Sequence, residues 1–174
     1  LGLRGIRWCL KHQEIFMTQL RALLRAGVAE NTDIRVMFPM VSTIEELREG
    51  RELLRKARAQ LESQGIPCAP YLPVGAMVET PAAVFLADSL AVESDFLSVG
   101  TNDLTGYVMA CDRGNSTVSE MYAVFQPAVL RALQFIASCG VKRGVPVSIC
   151  GEAASDPRLI PLLMSFGIHS FSVS

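Results

Sequence analysis

The chain has 174 residues, half of them apolar, and a formal net charge of −1 from 16 Lys and Arg against 17 Asp and Glu. That is one domain's worth of sequence with enough apolar side chains for a real core. It contains neither a basic stripe interleaved with aromatics, as nucleic acid would require, nor an apolar run long enough to span a bilayer.

Arg4 and Arg7 lie three apart at what reads as a helix start. The stretch KHQEIFMTQLRALLRAG is helical in pattern, with Ile15, Phe16, Leu20, Leu23 and Leu24 assigned to one face and Gly27 as its stop. IRVMFPM (34–40) reads as a strand. The next helix opens with Ser42 and Glu45 at capping-box spacing, carries a solvated charged face and stops at Gly65. PVGAMVE (73–79) is a second strand, followed by a helix that Thr80 caps ahead of Pro81. DFLSVGT (95–101) is a third strand, and QPAVLRALQFIASCG starts a helix on the same Pro signal. PVSICGE (146–152) is a fourth strand, DPRLIPLLMSFG a helix with Asp156 as cap, and SFSVS (170–174) a fifth strand.

The five strand runs are nearly continuous in apolar character, as strands covered on both faces are. They alternate with helices and show no hairpin turns, which predicts parallel βαβ units. An open doubly wound sheet should begin with a Gly-rich strand-to-helix turn, and none is present. The unusual polar residues instead sit at the C-terminal ends of different strands, as in the active site of an α/β (β/α)₈ TIM barrel. Five strands are fewer than eight, so the chain reads as an incomplete, C-terminal portion of such a barrel. Its opening on Leu1 and its end within a strand-like run fit an excised piece, and open sheet edges predict self-association or partial disorder at both ends.

Five cysteines (Cys9, Cys68, Cys111, Cys139, Cys150) form an odd set with no C-x-x-C pair or metal-type spacing. With no leader-like N-terminal segment, this predicts reduced thiols and a cytoplasmic location. Glu79 and Asp103 follow successive strands, and two such carboxylates beside Asn102 suit an oxygen-seeking ion such as Mg²⁺. Either acid alone reads equally well as a helix N-terminal anion or cap; the pair favours the metal. Arg35, inside a strand run, is hard to bury unpaired and is expected to face the barrel mouth or an anion. Arg113 follows the Asp103 segment and is placed to return to a bound phosphate or carboxylate. Cys150 ends a strand, where a thiol is either packing or a proton donor or nucleophile. His12 and His169 have no partner acid or serine in a triad-like setting.

With these residues identified, VGAMVETPAA, DFLSVGTNDLTGYVMACDRGN and ICGEAASDP resemble the C-terminal phosphoenolpyruvate-binding domain of enzyme I of the bacterial sugar phosphotransferase system. LGLRGIR and RVMFPM extend the resemblance over essentially the whole chain. Pyruvate phosphate dikinase and phosphoenolpyruvate synthase share the Gly-Thr/Ser-Asn-Asp and Cys-Gly-Glu elements, whereas DRGN is more like enzyme I or its fused multiphosphoryl-transfer relatives. The resemblance implies a dimerising barrel that binds phosphoenolpyruvate and Mg²⁺. It would pass the phosphoryl group to a His on a separate N-terminal domain, which serves a downstream phosphocarrier protein, and release pyruvate.

By the same resemblance Glu79 and Asp103 are Mg²⁺ ligands, and Asn102, Asp103, Arg113 and Arg4 meet the substrate. Arg35 is a further phosphate-side Arg, and Cys150 protonates the enolate carbon. Residues 1–174 would then be a partial barrel lacking the first strands, the last helix and the phosphohistidine domain, and unable alone to complete a catalytic cycle. Gly106 stands where the family usually has Gln, and Ser155 where a Gly is common. Two other readings stay open: a Mg²⁺-dependent lyase or aldolase of the related pyruvate-enolate barrels, and a non-catalytic barrel kept for dimerisation or regulation.

Overall fold

The computed structural model describes residues 1–30 and 32–173. Two helices, α1 (Ile6–Lys11) and α2 (Gln13–Ala26), lead into β1 (Val36–Phe38). Then come α3 (Ile44–Ser63), β2 (Val74–Val78), α4 (Pro81–Phe85), α5 (Ala87–Glu93) and β3 (Phe96–Gly100). The chain continues with α6 (Thr101–Met109), α7 (Pro127–Arg143), β4 (Val147–Cys150), α8 (Ile160–Ser165) and β5 (Ser170–Phe171). The strands form one sheet in chain order, every neighbouring pair parallel. This is the α/β arrangement of a portion of a TIM barrel. All five predicted strands are present, each shorter than its apolar run. The fifth covers Ser170–Phe171, and Ser174 lies outside the described residues.

Side chains alternate along each strand, which gives the sheet two unlike faces. Val78, Val99 and Ile149 lie side by side in register, are fully buried, and belong to the core the helices cover. On the other face Met77 pairs with Ser98, Ser98 with Ser148, and Gly100 with Cys150. Sulfur, hydroxyl and bare backbone thus occupy the face that rises to the C-terminal strand ends.

Three local readings are corrected. The cap of α3 is Thr43 with Glu46, one residue beyond the predicted Ser42 and Glu45: Thr43 Oγ1 accepts the Glu46 N–H, and Glu46 reaches back to the N–H groups of Thr43 and Ser42. Leu47, Leu54 and Leu61 form its buried face. At its other end Gly65, at φ +65°, closes a Schellman turn in which the Ile66 N–H reaches the Leu61 carbonyl. On α2 only Phe16, Leu20 and Leu24 form the buried stripe, Phe16 meeting Phe38 edge-on with ring centroids 5.8 Å apart. Ile15 and Leu23 are 50% and 36% exposed: at about 100° per residue Ile15 falls about 100° beyond the Phe16 edge of that stripe, and Leu23 about 20° beyond the same edge. Asp156 does not cap α8, which starts four residues later; its carboxylate is held by the Arg158 N–H and guanidinium.

Candidate active site

Glu79 leaves the end of β2 and is 4% exposed. Its Oε1 accepts the Met40 N–H at 2.7 Å. Met40 presents that N–H from the left-handed region, at φ +60°, which is strained for a side chain with a Cβ. The other oxygen, Oε2, lies over Gly100, where a Cβ would run into it and into Met77 Sδ. Glycine at the end of β3 is therefore what makes room for this carboxylate. Burial pushes Glu79 above the usual carboxylate range, the Met40 N–H opposes that, and nearby Asp103 adds to it.

Asp103 sits in the first turn of α6 and receives a forked contact from Arg4, NH2 to Oδ2 at 2.8 Å and NH1 to Oδ1 at 3.3 Å. Arg4 is brought there because the chain before α1 docks on the turn after β1: the Ile6 N–H reaches the Pro39 carbonyl, and Gly5, at φ +60°, lies where a Cβ would strike Met40 and Pro39. The pairing holds the Arg4 guanidinium above its ordinary pKa.

The turn after β4 gathers the next group. Thr101 Oγ1 donates to the Cys150 carbonyl at 2.8 Å, and Asn102 Oδ1 accepts the Glu152 N–H at 3.1 Å. Arg113 pairs with the Glu152 carboxylate at 3.0 Å. Gly151, at φ +93°, lets the chain pass this close, since a Cβ there would stand 2.6 Å from Thr101 Oγ1. The Cys150 thiol donates to the Val99 carbonyl at 3.3 Å and accepts from Ser98 Oγ at 3.7 Å. Burial pushes this thiol up; the Ser98 hydroxyl pulls it down and Glu79 adds to the rise.

A cavity of about 850 Å³ opens at this end of the sheet, lined by Arg4, Asn102, Asp103, Gly106, Tyr107, Arg113 and Tyr122 among others. Glu79 and Cys150 are not among its lining residues; they lie at the ends of β2 and β4. Gly106, where Gln was expected, sits close against its neighbours: a Cβ would crowd the Cys111 carbonyl at 3.2 Å and touch the Tyr122 ring at 3.7 Å. The second cleft, about 370 Å³, is at the opposite end and is lined by Arg48, Arg51, Arg55 and Arg58. There Arg48 already holds Glu93, Arg51 holds Asp95 and the Glu93 carbonyl, and Arg55 holds Glu52.

Of the predicted residues, Arg4, Glu79, Asn102, Asp103, Arg113 and Cys150 converge at one end. Arg35 does not. It precedes β1, so it emerges at the N-terminal end of the sheet, where its exposed guanidinium pairs with Asp33 at 2.8 Å. Of the expectation that it faces the barrel mouth or an anion, the first half is corrected and the second holds: its charge is met by the Asp33 carboxylate two residues away. Ser98 and Tyr122 join this end of the sheet without having been among the expected site residues, and Thr101, expected only to turn the chain, also holds the Cys150 carbonyl. Tyr122 donates its hydroxyl to the Asn102 carbonyl at 2.7 Å, tying the returning Arg113 segment to the start of α6. For Ser98 and Thr101 the signal was available, as hydroxyls inside an otherwise apolar strand run.

The model of the family described as "PEP-utilising enzyme, PEP-binding domain" matches residues 1–174. The chain is 45% identical over 174 residues to a phosphoenolpyruvate-protein phosphotransferase of Geobacillus stearothermophilus, covering all of this chain and 30% of that protein. A protein of the same name from Haloferax volcanii is 49% identical over 177 residues, with 100% and 31% covered. The chain thus spans about 30% of the length of these curated relatives. Among solved structures, a citrate lyase from Burkholderia xenovorans superposes with a TM-score of 0.65 at 23% identity, covering 88% of this chain and 48% of that one. An HpcH/HpaI aldolase from Desulfitobacterium hafniense superposes with a TM-score of 0.56 at 15% identity, covering 86% and 60%. Those two likenesses concern the fold; the sequence match over residues 1–174 places this chain in the PEP-utilising enzyme family, as its PEP-binding domain.

Proposed function

We propose that this chain is the part of a phosphoenolpyruvate-protein phosphotransferase that binds phosphoenolpyruvate and breaks its phosphate ester. The observation that carries the reading is the convergence of Arg4, Asn102, Asp103 and Arg113 on one cavity, with Glu79 and Cys150 at the C-terminal strand ends of the same side. Removing the phosphoryl group leaves the enolate of pyruvate, so fixed cations are needed at the phosphate and carboxylate and an acid at C3. Arg4 and Arg113 supply permanent positive charge, and Asn102 supplies an amide whose orientation is set by the Glu152 N–H. Cys150 Sγ–H would give its proton to C3, and a thiol does so without placing a permanent negative charge beside the enolate.

Glu79 and Asp103 fit a Mg²⁺ ion. They come from successive strand ends and bear on each other's charge, and Glu79 meets the Met40 N–H with Oε1 alone. Asp103 has lone pairs beyond those used by the Arg4 fork. No cluster of three or more His, Cys, Asp or Glu stands ready for a metal among the described residues. A Mg²⁺ ion takes one or two protein carboxylates and completes its shell with water and substrate oxygens. When bound, it would supply Lewis-acid neutralisation of the phosphate and enolate oxygens.

In this reading the phosphoryl acceptor is a His on a separate N-terminal domain, which serves a downstream phosphocarrier protein in sugar transport. The whole protein is a cytoplasmic homodimer, and the isolated chain does not turn over. No helix among the described residues is long and apolar enough to cross a membrane. The test is calorimetric titration of phosphoenolpyruvate with Mg²⁺ into this chain and into one as long as its relatives. Binding that Asp103→Asn or Arg113→Ala abolishes supports the reading. A folded full-length protein that takes up no phosphoenolpyruvate overturns it.

A further inference from the structure

Ser98 is a polar side chain with no obvious reason to be where it is. It lies in the middle of β3, is 4% exposed, and faces the same side of the sheet as Met77, Gly100 and Cys150. Its hydroxyl donates to Cys150 Sγ at 3.7 Å. The thiol in turn donates to the carbonyl of Val99, the residue next to Ser98, at 3.3 Å. Two adjacent residues of β3 therefore address the sulfur in opposite senses, one giving a hydrogen bond and one receiving it. The Cys150 backbone is fixed as well, by ladder pairing to Gly100 and by the hydroxyl of Thr101 on its carbonyl.

We propose that Ser98 is a positioning residue for the Cys150 proton: it aims the sulfur in the resting thiol and holds the thiolate once the proton has been delivered. The proposal rests on the phosphotransferase reading for the identity of the acceptor, and on the Ser98–Cys150 geometry for everything else. The P–O ester bond of phosphoenolpyruvate breaks as the phosphoryl group moves to its acceptor, and the electron pair remains on the enolate. The S–H bond then breaks, a C3–H bond forms to give pyruvate, and the S–H pair stays on sulfur. Among the described residues, no cation bears on this sulfur. The neutral groups facing it are Ser98 and Val99 of β3, and the charged group that bears on it is Glu79 from the end of β2, which opposes a thiolate. Glu152, on the turn after β4, is turned to Arg113. The Ser98 hydroxyl is thus the group that can donate to sulfur through the interval before water returns the proton. A carbonyl accepting from S–H stabilises only the thiol, so Val99 cannot replace it.

Iodoacetamide alkylation of this chain, resolved by peptide mass spectrometry between pH 6 and 11, reads the thiolate directly and requires no substrate. In Ser98→Ala the alkylation midpoint of Cys150 should move to higher pH, with its rate at a fixed pH below the midpoint falling about fivefold, the worth of one modest hydrogen bond. Cys9 and Cys139 in the same sample should not change. Ser98→Thr, which keeps a hydroxyl, should return Cys150 toward the parent profile. An unchanged Cys150 profile in Ser98→Ala, or a midpoint that falls, overturns the proposal, as does a Ser98→Thr protein that behaves like Ser98→Ala. Loss of phosphoenolpyruvate binding in titration would count against the phosphotransferase reading and leave this alkylation result standing.

Discussion

Gly100→Ala tests the carboxylate cradle at the centre of the site. The backbone at Gly100 has φ −81° and ψ 85°, on the side of the map open to alanine, so the added methyl meets no left-handed strain. The cost is local crowding against Glu79 Oε2 and Met77 Sδ. Met77 ends in a thioether that can turn aside, but Glu79 is pinned at Oε1 by the Met40 N–H. Making room for the methyl means giving up most of that charge-assisted hydrogen bond, about 1.5–3 kcal/mol, with about 1–3 kcal/mol of overpacking strain. Against this stands a gain of about 0.4–1 kcal/mol from the stiffer unfolded chain. A net loss of roughly 2–4 kcal/mol should lower the melting temperature by roughly 10 °C in a chain of this size. Thermal melts followed by circular dichroism measure it, and a double-mutant cycle with Glu79→Ala assigns it: truncating Glu79 first should remove most of the Gly100→Ala penalty. A Gly100→Ala protein that melts with the parent, or a penalty undiminished in the Glu79→Ala background, would refute the cradle.

Glu79 should leave a signature in the pH dependence of stability. Its carboxyl is raised in the folded chain, so between its unfolded and folded values the native state holds more protons and stability falls as pH rises. Glu79→Gln should remove that slope and melt higher than the parent at neutral pH, while losing any Mg²⁺-dependent substrate binding; melts from pH 4 to 8 show both parts. Tyr122→Phe deletes the hydroxyl that holds the Asn102 carbonyl at 2.7 Å, and trypsin should then cut at Arg113 faster than in the parent, by about fivefold. Arg35→Ala removes an exposed cation paired with Asp33 at the far end of the sheet, and should change neither the melting temperature nor phosphoenolpyruvate titration of the full-length protein.

The parallel alternation of strands and helices was legible because apolar runs with Pro and Gly at their ends are local features, and they set element type. The strand-end position of Glu79, Asp103 and Cys150 was legible for the same reason: each directly follows, begins beyond or closes such a run. Arg35 was misplaced because the run IRVMFPM does not show where hydrogen bonding begins. The strand starts one residue after Arg35, and that offset sends it to the opposite end. The Ser42–Glu45 spacing pointed one residue too early, because it does not show that Thr43 takes the extended N-cap backbone while the Ser42 N–H is itself held by Glu46. Tyr122 was invisible because its partner is a backbone carbonyl twenty residues away, brought near only by the return of the Arg113 segment.

The turn after β4 has a consequence for how damage spreads. Within Cys150, Gly151 and Glu152, one carbonyl, one amide and one carboxylate are gripped by Thr101, Asn102 and Arg113 in turn. Thr101, Asn102 and Arg113 are therefore tied to one three-residue stretch of chain, so that a shift of that turn reaches all of them. An electrophile attached to Cys150 would be felt at Asn102 and Arg113, and a side chain forced into Gly151 would unseat all three together. Substitutions made singly at these places should each cost nearly what they cost in combination, so that the turn behaves as one part of the machine.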